Sequence, residues 1–433
     1  MPIDPVTERV LVRQNPWLAG RDAKEWLAGQ VPAGYVERQA RLPLERPVCL
    51  VVGPRQAGKS TLAWRELQRW GGPVLLVNAE EPSMRSWLRS PTLFADDIER
   101  RIGAMPALFF EEIQNLPEAG LFLKGLADLK LGVPIVATGS SSFHLLARTR
   151  ESLAGRAHRT LLLPFSLDEL EPPGDRPPLA TDHARRERVS RMVVYGGYPR
   201  VVLGPSPGDT LSELVEAFVL RDVSDRFRIQ HVSAFRKVIE LAARQVGNLV
   251  VAAEWAAIAG VAAATINDYL QILGETHVLS MVRPFLGGKR AEVTSARKAY
   301  FVDNGLRNHL FGGFHPLVDR ADAGALLENF AFGEIWKAVN PILDGVHYWR
   351  SKSGAEVDFV VEHQGRLLGV EVKLGDVRNR VTRSARSFVE AYEPDLLLVV
   401  NEARGPDLHL GRTAARFVRP EDLGHAVRAF VAG

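Results

Sequence analysis

Gly53-Pro54-Arg55-Gln56-Ala57-Gly58-Lys59-Ser60-Thr61 places two glycines, a lysine and two hydroxyls directly after the apolar run Val48 to Val52. The glycines permit backbone conformations that let successive N–H groups turn toward one point, and a helix starting there adds its positive end. Such a nest suits phosphate. Lys59 supplies a point charge for β- and γ-phosphates, and the Ser60 hydroxyl is placed to ligate Mg²⁺. The chemistry expected is binding of ATP with Mg²⁺.

The pattern is a Walker A loop, and hydrolysis further needs one carboxylate for the metal and another to orient water. Ala107-Leu108-Phe109-Phe110-Glu111-Glu112 offers both at the end of an apolar strand, Glu111 for the metal and Glu112 as the base. Aspartate is usual at the first of these positions. The extra methylene of Glu111 moves its carboxylate outward by about one bond length, so slow hydrolysis with intact binding is expected. Farther on, Thr138-Gly139-Ser140-Ser141 ends the apolar run Val133 to Ala137. Ser140 there is either a sensor of the γ-phosphate and attacking water or an ordinary polar strand end. Arg156, in Ser152-Leu153-Ala154-Gly155-Arg156, is an arginine finger acting in cis or in trans, or a surface ion-pair partner.

A second constellation lies near the C-terminus: Glu328 in the helical stretch Leu326 to Trp336, Asp358 in the strand Glu356 to Val361, and Glu371-Val372-Lys373 in the next strand. Strand alternation puts Glu371 and Lys373 on one face. A short turn at Gln364-Gly365 brings Asp358 opposite roughly residue 370. Asp358 and Glu371, supported by Glu328, would hold Mg²⁺ or Mn²⁺, while Lys373 orients a hydroxide or stabilises developing phosphorane charge. The alternative is a hairpin whose charges are merely solvated. Arg350 and Lys352 before the hairpin, and Arg380, Arg383 and Arg386 after it, form a stripe that would follow a phosphate backbone or simply face water.

The elements that must hold these residues are short apolar runs, Val48 to Val52, Val74 to Val77, Ala107 to Phe110, Val133 to Ala137 and Thr160 to Leu163, separated by helix-length segments. They predict a mostly parallel α/β sheet. Pro172, Pro173, Gly174, Pro177 and Pro178 mark a linker within Glu171 to Ala184. Beyond it, Val251 to Ala259, Gly260 and Ala263 to Leu273 read as a helix-turn-helix, followed by a ribbon of Val278 to Pro284 and Ala291 to Thr294. The expectation is a winged helix that either contacts DNA or packs between domains. The expected division is an N-terminal extension over 1–45, a phosphate-loop ATPase core over 46–170, a linker and helical region over 171–224, a winged-helix-like domain over 225–320 and a C-terminal α/β domain over 321–433.

The 433 residues carry a formal net charge of only +3 and 46% apolar residues, so any polyanion site must be local and buried cores are amply supplied. The start lacks an apolar signal core, and nowhere do about 18 apolar residues run together. A cytoplasmic protein without membrane contact is expected. Cys49, the single cysteine, excludes an intramolecular disulfide and multi-cysteine metal sites.

GPRQAGKST, FFEEIQNLP, ATGSSS, SLAGR, LPFSLDEL and YGGYPR, in that order, resemble bacterial and archaeal AAA-type ATPases of the AAA_14 group. The resemblance covers nearly the whole chain. It implies an AAA+-like core with Lys59, Ser60, Glu111, Glu112 and Arg156 in the usual positions, then a helical and winged-helix region. A C-terminal domain of unknown function similar to PD-(D/E)XK, restriction-endonuclease-like nucleases follows, and the spacing of Asp358, Glu371 and Lys373 matches that core. The resulting expectation is a DNA-associated ATPase, RNA being an alternative substrate, with ATP-controlled binding or metal-dependent cleavage. A finger acting in trans would make it a homo-oligomer. The competing reading is a nucleotide-dependent switch acting on a protein partner, with a non-cleaving C-terminal domain.

Overall fold

The computed structural model describes residues 3–140, 153, 155–171, 178–216, 227, 229–288, 296–340, 344–377 and 380–433. It divides into two compact units, residues 1–163 and 164–433.

In the first unit, β1 (Val48–Gly53), β2 (Val74–Asn78), β3 (Ala107–Glu111), β4 (Ile135–Ser140) and β5 (Ala157–Leu161) form one sheet in the order β2-β3-β4-β1-β5. Every pairing is parallel. Parallel strands need crossover helices, which cover both faces, so the inner strands read as unbroken apolar runs. Val48, Leu50, Val52, Leu108 and Phe110 pack on one side with Phe94 and Phe122 from the helices Pro91–Ile102 and Ala119–Asp128. Cys49, Val51 and Phe109 pack on the other with Leu62, Trp64 and Leu67 of the helix Lys59–Trp70. The edge strand β5 begins at Ala157, before the expected Thr160, because one paired side does not require a continuous apolar run.

The expected N-terminal extension is part of this unit. Asp4 caps the helix Pro5–Gln14, and Asn15 then lies along the free edge of β2, accepting from the Leu76 N–H at 2.7 Å and donating to the Leu76 carbonyl at 2.8 Å. Trp17 donates its indole N–H to the Val74 carbonyl at 2.9 Å. These side chains satisfy edge groups that would otherwise await another strand.

The second unit holds an eight-stranded mixed sheet in the order β12-β13-β11-β10-β9-β8-β6-β7. Its strands are β6 (Leu279–Pro284), β7 (Lys298–Phe301), β8 (Gly345–Arg350), β9 (Glu356–His363), β10 (Arg366–Val372), β11 (Leu396–Val400), β12 (Leu408–Leu410) and β13 (Thr413–Val418). The helices Ala252–Ala259 and Ala263–Glu275 meet at Gly260, which is left-handed at φ +73°, and are bent by 101°. The partner of β6 is Lys298–Phe301, whereas the expected strand Ala291 to Thr294 lies outside the described residues. This ribbon continues into the larger sheet: β6 pairs in parallel with β8, so one sheet spans the expected boundary at 320/321. The contact boundary between units also falls earlier than the proline-rich linker, of which 172–177 lie outside the described residues. Among the described residues no single helix is long and apolar enough to cross a membrane.

The Tyr195-Gly196-Gly197-Tyr198 motif is tied to the second unit's interior. Asp303 is buried and accepts from the backbone N–H groups of Gly197 at 2.7 Å, Gly305 at 2.8 Å and Leu306 at 3.3 Å. Burial raises its pKa, and those N–H groups work in the opposite direction. Asn304 donates to the Val193 and Leu326 carbonyls, Asn308 to Val193 and Val194, and Asn329 accepts from the Phe301 N–H and donates to the Phe301 carbonyl and the Asn304 side-chain oxygen. Three helices and β7 are thereby joined through satisfied polar groups.

A Cβ at Gly196, where φ is +74°, would lie 1.9 Å from the Asp303 carboxylate, whereas Gly260 has open space around it. Gly196→Ala should cost about 2–4 kcal/mol through strain and a displaced buried acid, and Gly260→Ala only about 1 kcal/mol through its backbone conformation. Urea unfolding of both variants checks the ranking; equal losses would refute the close approach.

Candidate nucleotide-binding site and a second charge cluster

Because all five strands of the first unit run the same way, the ends of β1, β3 and β4 share one edge of the sheet, where ligands of open α/β sheets bind. Gly53 closes β1 at φ +148°, and a Cβ there would lie 2.0 Å from the Leu162 carbonyl oxygen. Glycine is therefore required at this approach. The turn continues through Gln56 at φ +60° to Gly58 at φ +94°, which precedes the first turn of the helix Lys59–Trp70 carrying Ser60 and Thr61. Pro54, Arg55, Gln56 and Ala57 form the bend between the glycines, and Ala57 is fully buried.

Lys59 is only 6% exposed, and its ammonium donates to the carbonyls of Gly53 at 3.1 Å and Pro54 at 2.8 Å. Burial pushes its pKa down to about 8, partly opposed by the Glu112 carboxylate and reinforced by Arg55. The Ser60 hydroxyl lies near enough to the carboxyl of Glu111, the last residue of β3, to influence its titration. Burial raises the Glu111 pKa, the Ser60 hydroxyl lowers it, and the charges of Glu112 and Glu80 raise it again. The helix start and the carboxylate strand thus meet at the group expected to hold Mg²⁺, despite the longer Glu111 side chain.

Glu112 adopts φ +48°, receives a bond from the Gln114 amide, and donates its backbone N–H to the Thr138 hydroxyl at 3.4 Å. Gln114 and Thr138 were missed from sequence; Thr138 lies two residues before Ser140 in the very segment considered for sensing. Ser140 pairs through its backbone with Gly53, but its side chain lies outside the described residues. Arg156 is placed elsewhere. Its carbonyl accepts from Val48, at the start of β1, and its guanidinium pairs with Asp128 at 2.6 Å. The length of β1, about 16 Å at 3.3 Å per residue, separates that end from Gly53, so Arg156 does not serve this phosphate loop in cis.

In the second unit, Gln364 and Gly365 both take positive φ, +49° and +81°, the primed turn that matches strand twist. The β9–β10 register continues to oppose Asp358 with Glu371, one residue from the expected partner. Val372 N–H donates to Asp358 at 2.7 Å; Lys373 lies 3.1 Å from Glu371 and 4.0 Å from Asp358. Glu371 is 2% exposed and accepts from Thr382 at 2.6 Å, and its other carboxylate oxygen has no hydrogen-bond partner among the described residues. Glu328 accepts from the Tyr300 hydroxyl at 2.5 Å.

The cluster contains a residue not foreseen: Lys298 of β7, 3% exposed, lies 3.5 Å from Glu328 and also pairs with Glu356. Burial works against its charge, but Glu328 and Glu356 outweigh it and raise the pKa. Burial and the Glu328 charge push Asp358 up to about 7, with Lys373 opposing. Lys373 is itself raised because Asp358 and Glu371 outweigh the desolvation that would lower it. Two ammonium groups therefore stand within the acids expected to hold metal. Among the described residues no group of three or more His, Cys, Asp or Glu is arranged to hold a metal ion. Arg350 is likewise engaged, 3.4 Å from Glu356.

The first unit is a parallel α/β ATPase-like domain built around a phosphate loop. Residues 45–171 match the family profile described as an AAA domain, residues 186–316 a domain of unknown function, DUF8612, and residues 323–412 another, DUF4143. An uncharacterized protein of Mycobacterium tuberculosis is 26% identical over 347 residues, covering 79% of this chain and 73% of its own. One from Haemophilus influenzae is 26% identical over 352 residues, covering 75% and 81%. Among solved structures, the Walker-type ATPase of Pyrococcus abyssi aligns over 61% of this chain and 91% of its own at 16% identity, with a TM-score of 0.39. The replication initiator DnaA bound to AMPPCP and single-stranded DNA aligns over 63% and 93% at 15% identity, with a TM-score of 0.22. Overlaps this loose carry no functional argument.

Phosphate favours the charged form of Lys59, whose pKa before binding is about 8. Nucleotide binding at pH 8 should therefore take up about half a proton, with almost none at pH 6.5 and affinity falling as pH rises above 8. Calorimetry in two buffers of different ionisation enthalpy measures this; identical heats at pH 8 would show that Lys59 is already fully charged.

Proposed function

We propose that this protein is a Mg²⁺-dependent ATPase whose nucleotide state acts as a switch on the second unit. The observation that carries the reading is a loop already folded around the buried Lys59 ammonium, with the Ser60 hydroxyl and the Glu111 carboxyl beside it. Ser60 and Glu111 would hold Mg²⁺, which when bound neutralises phosphate charge. Lys59 leaves the Gly53 and Pro54 carbonyls for the more strongly charged phosphate oxygens, and the N–H groups of the loop and helix start bind the same anion. Glu112, held by Gln114 and Thr138, orients the attacking water. An arginine acting on the γ-phosphate would come from a second copy, with Arg156 the candidate.

A second reading concerns nucleic acid. The buried oxygen of Glu371 that has no hydrogen-bond partner among the described residues, beside Asp358 and Lys373, favours a cation-assisted phosphodiester site in DNA or RNA, with Mg²⁺ or Mn²⁺ held by two carboxylates rather than three. Lys298 opposes that reading by neutralising Glu328 and Glu356 from within the fold. The bent helix pair ahead of β6 would then contact the nucleic acid as a winged-helix-like element.

Lys59→Ala should abolish ATP turnover, and Glu112→Gln should lower kcat by about 100-fold or more while ATP still binds. Phosphate release and equilibrium binding test the pair; turnover equal to wild type in Lys59→Ala would dismiss the phosphate-loop site. For the second reading, end-labelled linear and four-way-junction DNA, and RNA of the same sequence, are incubated with Mg²⁺ or Mn²⁺, with and without ATP. Cutting by wild type that Asp358→Ala lacks would establish the site. Retained binding without cutting would leave the switch reading alone.

A further inference from the structure

Arg38 precedes β1 and lies outside the segment matched as an AAA domain, yet its guanidinium is 5% exposed and reaches the phosphate loop. One terminal nitrogen donates to the Ala57 carbonyl at 2.9 Å and the other to the Leu163 carbonyl at 2.5 Å. We propose that Arg38 is a positioning residue for nucleotide phosphates, fixing the Ala57–Gly58 peptide so that the Gly58 N–H faces the bound anion. The inference rests on the reading of this loop as an ATP site.

The geometry follows from the planar trans peptide, in which C=O and N–H point in opposite directions. A carbonyl of Ala57 held toward Arg38 turns the N–H of the same peptide, that of Gly58, away from Arg38. Such control is needed here because Gly58, at φ +94°, lacks the side chain that would restrict rotation of this peptide. The second bond anchors the fork. Leu163 follows Leu162, whose N–H donates to Val52 at 2.8 Å and whose carbonyl lies against Gly53. Arg38 thereby spans from the middle of the loop to backbone that is packed at the loop's start. A lysine keeps the charge but has no planar fork with which to hold two carbonyls in fixed directions.

The test compares wild type, Arg38→Lys, Arg38→Ala and Lys59→Ala in the full chain, measuring Kd for ATP and ADP, KM and kcat for ATP, and thermal unfolding. Arg38→Lys and Arg38→Ala should each weaken ATP and ADP by 10-fold or more, raising KM in parallel, with kcat changed by less than about 3-fold because the effect is on ground-state binding. Added guanidinium ion should restore part of the affinity of Arg38→Ala and none of that of Lys59→Ala. Wild-type affinity in both Arg38 variants, with or without a lower unfolding temperature, would overturn the proposal while leaving the ATP site standing. Failure of both variants to fold would also overturn it, making Arg38 a core residue of the fold. Absence of ATP binding by wild type would overturn the ATP reading and this inference together.

Discussion

Parallel pairing of five strands is the constraint on which the nucleotide site depends. It places the last residues of β1, β3 and β4 on one edge, so Gly53, Glu111 and Ser140 come together although they are far apart in sequence. It also obliges each connection to cross a face of the sheet, which puts the N-terminus of the helix Lys59–Trp70 just past the end of β1. Dipole, backbone N–H groups and lysine then point to one place without any long loop to arrange them. Burial of Lys59 sharpens this arrangement, since the ammonium is held by two carbonyls that form weaker partners than phosphate.

The second unit solves a different problem. Its charged residues are paired with one another, with Lys298 and Lys373 interleaved among Glu328, Glu356, Asp358 and Glu371. Removing a single partner from such a cluster leaves an uncompensated buried charge, which costs more than the pair itself contributes. The neighbouring network around Asp303 and the buried asparagines is held by neutral amides and backbone groups instead. There the buried carboxyl of Asp303 is offset by several backbone N–H donors rather than by a facing ammonium.

The sequence made the nucleotide site largely legible because strand, loop and helix follow one another locally and each carries its own signal. The acids of β3 were readable for the same reason. What escaped were residues acting across distance: Arg38, 19 positions before the carbonyl it holds, Gln114 and Thr138 behind Glu112, and Lys298 in a strand no motif marked. A lone arginine or lysine has no periodicity, and its partner is set by tertiary packing. The β9–β10 hairpin was placed to within a residue since its turn chemistry fixes register, while the short strands β12 and β13 gave no comparable pattern. The expected second strand of the ribbon, Ala291 to Thr294, lies outside the described residues, and Arg156 followed a motif whose position in the sheet only the fold reveals.

The pairing of β6 with β8 joins segments that match two different families, 186–316 and 323–412. Severing the polypeptide between them would bare a strand edge on either side and strip Glu328 and Glu356 of the ammonium that neutralises them. Shuffling of either segment alone into another protein would carry that liability with it. The two segments are therefore one structural unit, however their sequences are partitioned.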